Sequence, residues 1–92
     1  MTLYEFETQY ATVWVDQFGT TRLFYPLHEP NKGAMETTHK DGYSISGTYT
    51  LREDSGNWYL GWSGKEFLFS PIPDGFQLTG DESDGYCFKR PD

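Results

Sequence analysis

Alternation of apolar and polar side chains between Tyr43 and Phe69 constrains the fold of this chain more than any other feature. From Tyr43 to Leu51 every second residue is aromatic, aliphatic or glycine, and the residues between them are serine or threonine. A period of two over such residues is typical of a half-buried strand. Two clusters of turn-forming residues, Glu53–Gly56 and Ser63–Gly64, divide the stretch. The sequence therefore predicts three consecutive antiparallel strands.

The two turns also predict a register. With a four-residue loop at the first turn and a two-residue loop at the second, the opposed pairs are Leu51–Trp58, Tyr49–Leu60, Gly47–Trp62, Leu60–Phe67 and Trp58–Phe69. Both turns then place the large apolar side chains on one face, because a slip of one residue would invert the pleat. Gly47, which has no side chain, leaves room for the indole of Trp62. Trp58 and Trp62 are therefore predicted to belong to the core.

The segments before the meander predict shorter strands and a long loop. Residues 2–8 are predicted to be a strand, with a short helix as the alternative, because Thr2 and Glu5 have capping-box spacing. Residues 10–15 and 20–27 are predicted strands, separated by a turn at 16–19. Residues 26–42 contain two prolines, two glycines and little apolar content, so a long surface loop is expected there, with one helical turn near Ala34–Thr37 as an option.

The segments after the meander complete a mainly β chain. Residues 70–75 are predicted to form a proline-stiffened turn, 75–79 a short strand, 80–85 an acidic turn and 86–89 a final edge strand. The whole chain, residues 1–92, is expected to be one domain. The predicted fold is a small antiparallel meander that forms a curved sheet, barrel or sandwich of about five to seven strands with at most one short helix. An α+β fold is the alternative.

Charge and cysteine content narrow the class of protein. The chain has 14 acidic and 7 basic residues, which gives a net charge of −7. Such a surface repels nucleic acid and anionic membranes on average and favours a protein partner with a basic surface. A single cysteine, Cys87, excludes an internal disulfide, and the sequence contains no apolar run of about 20 residues. The N-terminal residues lack a basic start and an apolar segment, so no signal peptide is expected. A cytoplasmic protein is expected, with a host cytoplasm as a further option.

No motif in the sequence indicates an enzyme, a metal site or a cofactor. The segment Gly42–Gly47 lacks the spacing of a nucleophile elbow, and neither His28 nor His39 is spaced to form a base–nucleophile pair. The acidic segment 81–85 lacks the closing glutamate of a calcium loop, and His28, His39 and Cys87 lack the paired spacing of zinc ligands. No catalytic residue, metal or cofactor is predicted.

The function that the sequence favours is therefore protein binding. Exposed acids would imitate phosphates on a basic, nucleic-acid-binding surface, and aromatic anchors would add specificity. The predicted contacts are Glu53, Asp54, Asp74, Asp81, Glu82 and Asp84, with Tyr59 or Tyr86 as anchors. Trp14 and Phe18 are further candidates for exposed contact.

Short, acidic, single-domain chains are similar in general character to intracellular inhibitors encoded by phages, including anti-CRISPR proteins. No motif carries that similarity. Two alternatives stay open. One is a ligand- or carbohydrate-binding β-domain, which a concave row of exposed rings would indicate. The other is a structural subunit of a virion or complex, assembled through the edge strands at either end of the sheet.

Overall fold

Residues 2–80 and 85–91, which the computed structural model describes, fold into a closed antiparallel barrel of eight strands. The strands are β1 (Val13–Val15), β2 (Thr21–Glu29), β3 (Lys32–Thr38), β4 (Ser44–Asp54), β5 (Asn57–Trp62), β6 (Lys65–Ile72), β7 (Gly75–Thr79) and β8 (Tyr86–Lys89). Each strand pairs with the next, and β1 pairs with β8 at Val15 and Lys89. The mainly β prediction is confirmed, including its barrel option, while the strand number is slightly higher than predicted.

A helical segment before β1 closes one end of the barrel. Thr2 caps the short helix α1 (Leu3–Glu5), because its Oγ1 accepts a hydrogen bond from the Glu5 N–H at 3.1 Å. A π-helical turn, Phe6–Tyr10, continues it. The strand prediction for residues 2–8 is wrong and the helical alternative is right, while the strand predicted at 10–15 is confined to β1. A helix is favoured over a strand here because helical spacing directs both Phe6 and Tyr10 onto the barrel core.

The prediction of a long loop at residues 26–42 is wrong. β2 and β3 form a hairpin through most of this range, and the option of a helical turn at Ala34–Thr37 falls on β3, which pairs with both β2 and β4. Pro26 is tolerated because the β2–β3 register shifts between Phe24 and Leu27. A proline, which cannot donate to the ladder, is accommodated at such a bulge.

The two hairpins of the central meander differ in how well they were predicted. The second register is confirmed, with Leu60 opposite Phe67 and Trp58 opposite Phe69. The first is wrong by two residues: Leu51 lies opposite Leu60, and the loop shrinks to Ser55–Gly56, whose φ angles are 54° and 84°. A shift of two residues preserves the face of every side chain. The predicted common interior therefore survives the error.

Interior side chains are mostly aromatic and meet near Phe76. Its ring centroid lies 4.8 Å from those of Phe69 and Phe88 and 5.1 Å from that of Trp14. Trp14 is only 2% exposed, so its prediction as an exposed contact is wrong. Trp58 and Trp62 are half-buried and pack against the core, in agreement with their assignment.

The role predicted for Gly47 is wrong. No atom lies within 4 Å of the position where a Cβ of residue 47 would be, and β5 ends at Trp62 before it reaches this level of β4. The indole of Trp62 packs instead on Phe67 and Tyr86. On the N-terminal side of Tyr49, the odd-numbered residues of β4, which would face the interior, are therefore exposed to solvent.

A buried hydroxyl ties β4 to β2. The side-chain O–H of Tyr49 donates to the backbone carbonyl of Tyr25 at 2.6 Å, and the residue as a whole is fully buried. Burial raises the pKa of Tyr49, and the charge of Glu7 adds to the rise. The neutral phenol is therefore the form that the folded barrel holds.

Replacing Tyr49 by phenylalanine is expected to lower the free energy of unfolding by about 1–2 kcal/mol, because the Tyr25 carbonyl loses its buried donor. The same change should also reduce the loss of stability that the wild-type barrel shows at alkaline pH. In the unfolded chain Tyr49 ionises near pH 10, whereas its folded pKa is higher, so wild-type stability falls as pH rises above about 10. Urea unfolding at pH 7 to 11 measures both effects. An equal alkaline slope in the variant would show that the buried phenol has no raised pKa.

Candidate protein-binding site

A groove lies beside the β5–β6 hairpin, where that hairpin extends past β7. Residues 65–67 of β6 pair with β5 alone among the described strands, because the β6–β7 pairing stops at Leu68 and Thr79. We call this concavity the Phe18 groove. Its lining comprises Gln17, Phe18, Arg52, Tyr59, Gly64, Lys65, Glu66, Phe67, Leu68, Thr79, Gly80, Gly85 and Tyr86. The two tyrosines predicted as anchors therefore line one surface.

Phe18 stands at the tip of the β1–β2 turn and is held there by its neighbours. The buried carboxylate of Asp16 accepts hydrogen bonds at Oδ1 from the Phe18 N–H at 2.9 Å and the Thr20 N–H at 3.0 Å. Gln17 bonds in both directions to the start of β8, donating to the Gly85 carbonyl and accepting from the Cys87 N–H, each at 2.8 Å. The Phe18 side chain is 67% exposed. A large apolar ring is thus displayed on a turn that is already ordered.

A charged row crosses the outer wall of the groove. The Arg52 guanidinium lies 4.4 Å from the centre of the Tyr59 ring and donates from Nε and Nη2 to the two carboxylate oxygens of Glu66, both at 2.7 Å. These hydrogen bonds hold the pKa of Glu66 below its ordinary value. The same pairing raises the pKa of Arg52. One face of Tyr59 is therefore occupied, and the rest of its half-buried ring belongs to the groove wall.

Tyr86 forms the inner wall and is anchored in the core. Its ring packs edge-on to Phe67 with centroids 5.6 Å apart, and it contacts Trp62 at the same distance. The Arg22 guanidinium lies 5.2 Å from the Tyr86 ring and 4.7 Å from the Trp62 ring, and it also pairs with Asp16 at 3.9 Å. Burial lowers the pKa of Arg22, although the charges of Tyr86 and Asp16 oppose this. Tyr86 is thus both a groove residue and a rigid support.

None of the three described acids that were predicted as contacts lines the Phe18 groove. Glu53 and Asp54 end β4 and Asp74 lies in the β6–β7 turn, at the end of the barrel that the helical segment closes. Two of the three are in ion pairs, Asp54 with Arg52 and Asp74 with Lys89, both at 3.7 Å. Asp81, Glu82 and Asp84 lie outside the described residues. Asp54 is therefore connected to Tyr59 through Arg52, whereas Asp74 lies apart from both tyrosines.

Phe18 is predicted from the sequence only as a candidate for exposed contact, apart from the acids and tyrosines predicted to bind the partner. The sequence does contain a signal for the ordered turn, which is Asp16 followed by Phe18 and Gly19. An aspartate that starts a turn often accepts hydrogen bonds from the backbone N–H groups that follow it. The Arg52–Glu66 pair joins strands that are not adjacent in the barrel. The sequence pattern gave no sign of it.

Metal-ligating side chains do not cluster in the described part of the chain. Among residues 2–80 and 85–91, no group of three histidine, cysteine, aspartate or glutamate side chains is placed to hold a metal ion. His39 stacks on Tyr43 with ring centroids 6.0 Å apart, and Cys87 is a half-buried free thiol.

Comparisons with known proteins give no match: no family model, curated protein or solved structure is similar to this chain. Within the described part of the chain, none of the helical segments is long and apolar enough to cross a membrane.

Proposed function

We propose that this barrel is a non-enzymatic protein-binding module that contacts a basic partner through the Phe18 groove. The carrying observation is the display of Phe18, 67% exposed, on a turn whose flanking residues are fixed by hydrogen bonds to β8 and to a buried aspartate. Binding costs less when the contacting side chain is already positioned. Tyrosine and arginine, which the groove also carries, are enriched at binding hot spots.

Charge supports the choice of a basic partner. Several cations of the described chain are held by acids of the same chain, in the pairs Arg22–Asp16, Arg52–Glu66 and Lys89–Asp74. With 14 acidic residues against 7 basic ones, negative charge remains unmatched. The described lining of the groove itself carries Arg52, Lys65 and Glu66, so the charge argument depends on the composition of the whole chain. A partner segment rich in lysine or arginine complements this composition.

The finer form of the proposal is inhibition. A module that covers a basic surface would block the nucleic acid that such a surface binds, as phage-type inhibitors do. The test is whether added DNA or RNA competes with the module for the purified partner. Carbohydrate binding is the second outcome: quenching of tryptophan fluorescence by a sugar, without any protein partner, would replace the proposal.

Replacing Phe18 by alanine is expected to weaken the complex with the purified partner about 30-fold or more, because the ring is the exposed apolar anchor of the groove. Tyr25 supplies the matched control, since it is 43% exposed on β2 and does not line the groove. Calorimetry of Tyr25→Ala should give the wild-type affinity. Equal losses in both variants, or no loss at Phe18, would contradict the assignment of the groove.

Ionic strength tests the charge of the partner separately. The affinity of the wild-type complex should fall steadily between about 50 and 500 mM salt, because exposed charges are screened over this range. The Phe18→Ala variant should show the same salt slope at a lower affinity. An affinity that is indifferent to salt would remove the basic partner from the proposal while leaving the groove in place.

A further inference from the structure

The first half of β4 presents an open strand edge. Residues 44–50 of β4 pair with β3, whereas the β4–β5 pairing covers only residues 50–54. Continuing the register from Thr50 opposite Gly61 places the β5–β6 turn beside Thr48. Among the described residues, Ser44–Gly47 therefore have no strand on their second side.

The backbone groups of this edge are directed outward at alternate residues. The carbonyl of Tyr43 accepts from the His39 N–H at 2.7 Å, and the Leu51 N–H donates to the Asn31 carbonyl at 3.0 Å, so odd-numbered residues of β4 bond toward β3. In an antiparallel ladder the intervening residues bond to the opposite side. The N–H and C=O groups of Ser44 and Ser46 are consequently available to another strand.

The side chains of the edge have none of the features that usually prevent pairing. Residues 42–51 contain neither a charge nor a proline, although the chain as a whole carries −7. Natural edges are normally protected by lysine, proline or a covering element. Tyr43 and Ile45, on the two sides of Ser44, are 62% and 49% exposed on the same face. The edge therefore combines free backbone groups with an exposed apolar pair, in which His39 stacks on one side of the Tyr43 ring.

We propose that two copies of this chain pair antiparallel through the β4 edge, about a two-fold axis at Ser44. In this register each Ser44 exchanges both backbone hydrogen bonds with its counterpart, which agrees with the outward direction of those groups. Each Tyr43 then lies opposite the Ile45 of the other copy. Aromatic and β-branched residues form favourable cross-strand pairs, so the two exposed side chains cover each other.

Geometry and charge favour a second copy at this register. Gly42 of one copy lies beside Ser46 of the other. The paired segment therefore ends before it reaches the β5–β6 turn, which lies beside Thr48. Asp41 of each copy approaches the β5–β6 turn of the other copy. Exposed Lys65 follows that turn in the sequence. The paired segment is short, so the dimer is weak and concentration-dependent. This surface meets the Phe18 groove only at Gly64 and Lys65 of the β5–β6 turn. The two proposals depend on different side chains, Tyr43 and Ile45 here and Phe18 there, so each is tested by its own variants.

Cysteine cross-linking tests the register directly, in a Cys87→Ser background that leaves one thiol per chain. Ser44→Cys should form a disulfide-linked dimer under mild oxidation, because residues 44 of the two copies lie about 5.5 Å apart between Cα atoms. Ser46→Cys is the matched control: its thiols are offset by four residues, about 14 Å, beyond the reach of a disulfide. Adding Ile45→Lys to the Ser44→Cys chain should greatly reduce cross-linking, and adding Tyr25→Lys should not.

Sedimentation of the wild-type chain completes the test. Self-association should strengthen as salt is raised, because screening reduces the repulsion between two acidic barrels, which is the opposite of the salt effect expected for a basic partner. A chain that stays monomeric at millimolar concentration in high salt would overturn the proposal. Equal cross-linking of the two cysteine variants, or stronger cross-linking of Ser46→Cys, would overturn it as well.

Discussion

Replacing Phe76 by alanine is expected to lower the free energy of unfolding by about 3–5 kcal/mol. Phe76 is 1% exposed and lies at the centre of the aromatic interior, where it contacts rings from β1, β2, β6, β8 and the helical segment. A truncation there removes contacts with every one of these elements at once. Small domains are typically stable by about 5–15 kcal/mol, so the variant should lose a large fraction of the stability of the barrel.

Urea denaturation followed by tryptophan fluorescence measures this loss. Phe18→Ala is the matched control, since it removes the same atoms from an exposed position and should change stability by less than about 0.5 kcal/mol. Equal stabilities for the two variants would contradict the interior assigned to the barrel.

Replacing Gly75 by alanine is expected to cost about 3 kcal/mol or more, at or beyond the upper end of overpacking effects. A Cβ at this position would lie 1.8 Å from the carbonyl oxygen of Phe88. Because that atom belongs to the backbone of β8, it cannot move aside as a flexible side chain would. The methyl group must therefore push β7 and β8 apart, next to the single residue pair at which β1 and β8 close the described barrel.

Gly47→Ala is the control for this second change. Its added methyl group meets no atom within 4 Å, so stability should stay the same or rise by up to about 1 kcal/mol. Thermal unfolding of both variants at low protein concentration gives the comparison. A Gly75→Ala chain as stable as Gly47→Ala would show that β7 and β8 do not approach as closely as described.

The predictable part of the fold was the part in which local signals agreed. At Ser63–Gly64 the turn residues, the alternation and the register all indicated one hairpin, and the structure has that hairpin. At Glu53–Gly56 the four polar residues suggested a longer loop than the two-residue turn that forms. The predicted interior is still correct, because side chains alternate between the two faces of a strand and a register error of two residues leaves each on the same face.

The part that was not predictable depended on contacts distant in the sequence. Pro26 and Gly33 suggested a loop, yet both lie in paired strands. Pro26 occupies a bulge, and Gly33 is required because a Cβ there would lie 2.5 Å from the Tyr49 ring. The edge strand predicted at 86–89 is not an edge, because β8 pairs with both β7 and β1. Closure of the sheet has no signature in local composition.

The candidate site divides in the same way. Tyr59 and Tyr86 line one groove although they are 27 positions apart in the sequence. The sequence does not predict this, because the groove depends on how far the β5–β6 hairpin extends past β7. The predicted acids illustrate the converse. Their number indicates the charge of a partner, but Asp54 and Asp74 are in ion pairs within the chain.

Amide hydrogen exchange on the complex with the purified partner tests the central claim most directly. The account predicts slower exchange in the complex at Gln17–Gly19, at Tyr59 and along residues 64–68, with the far wall around Tyr25 unchanged. Protection confined instead to Glu53, Asp54 and Asp74, at the opposite end of the barrel, would contradict it.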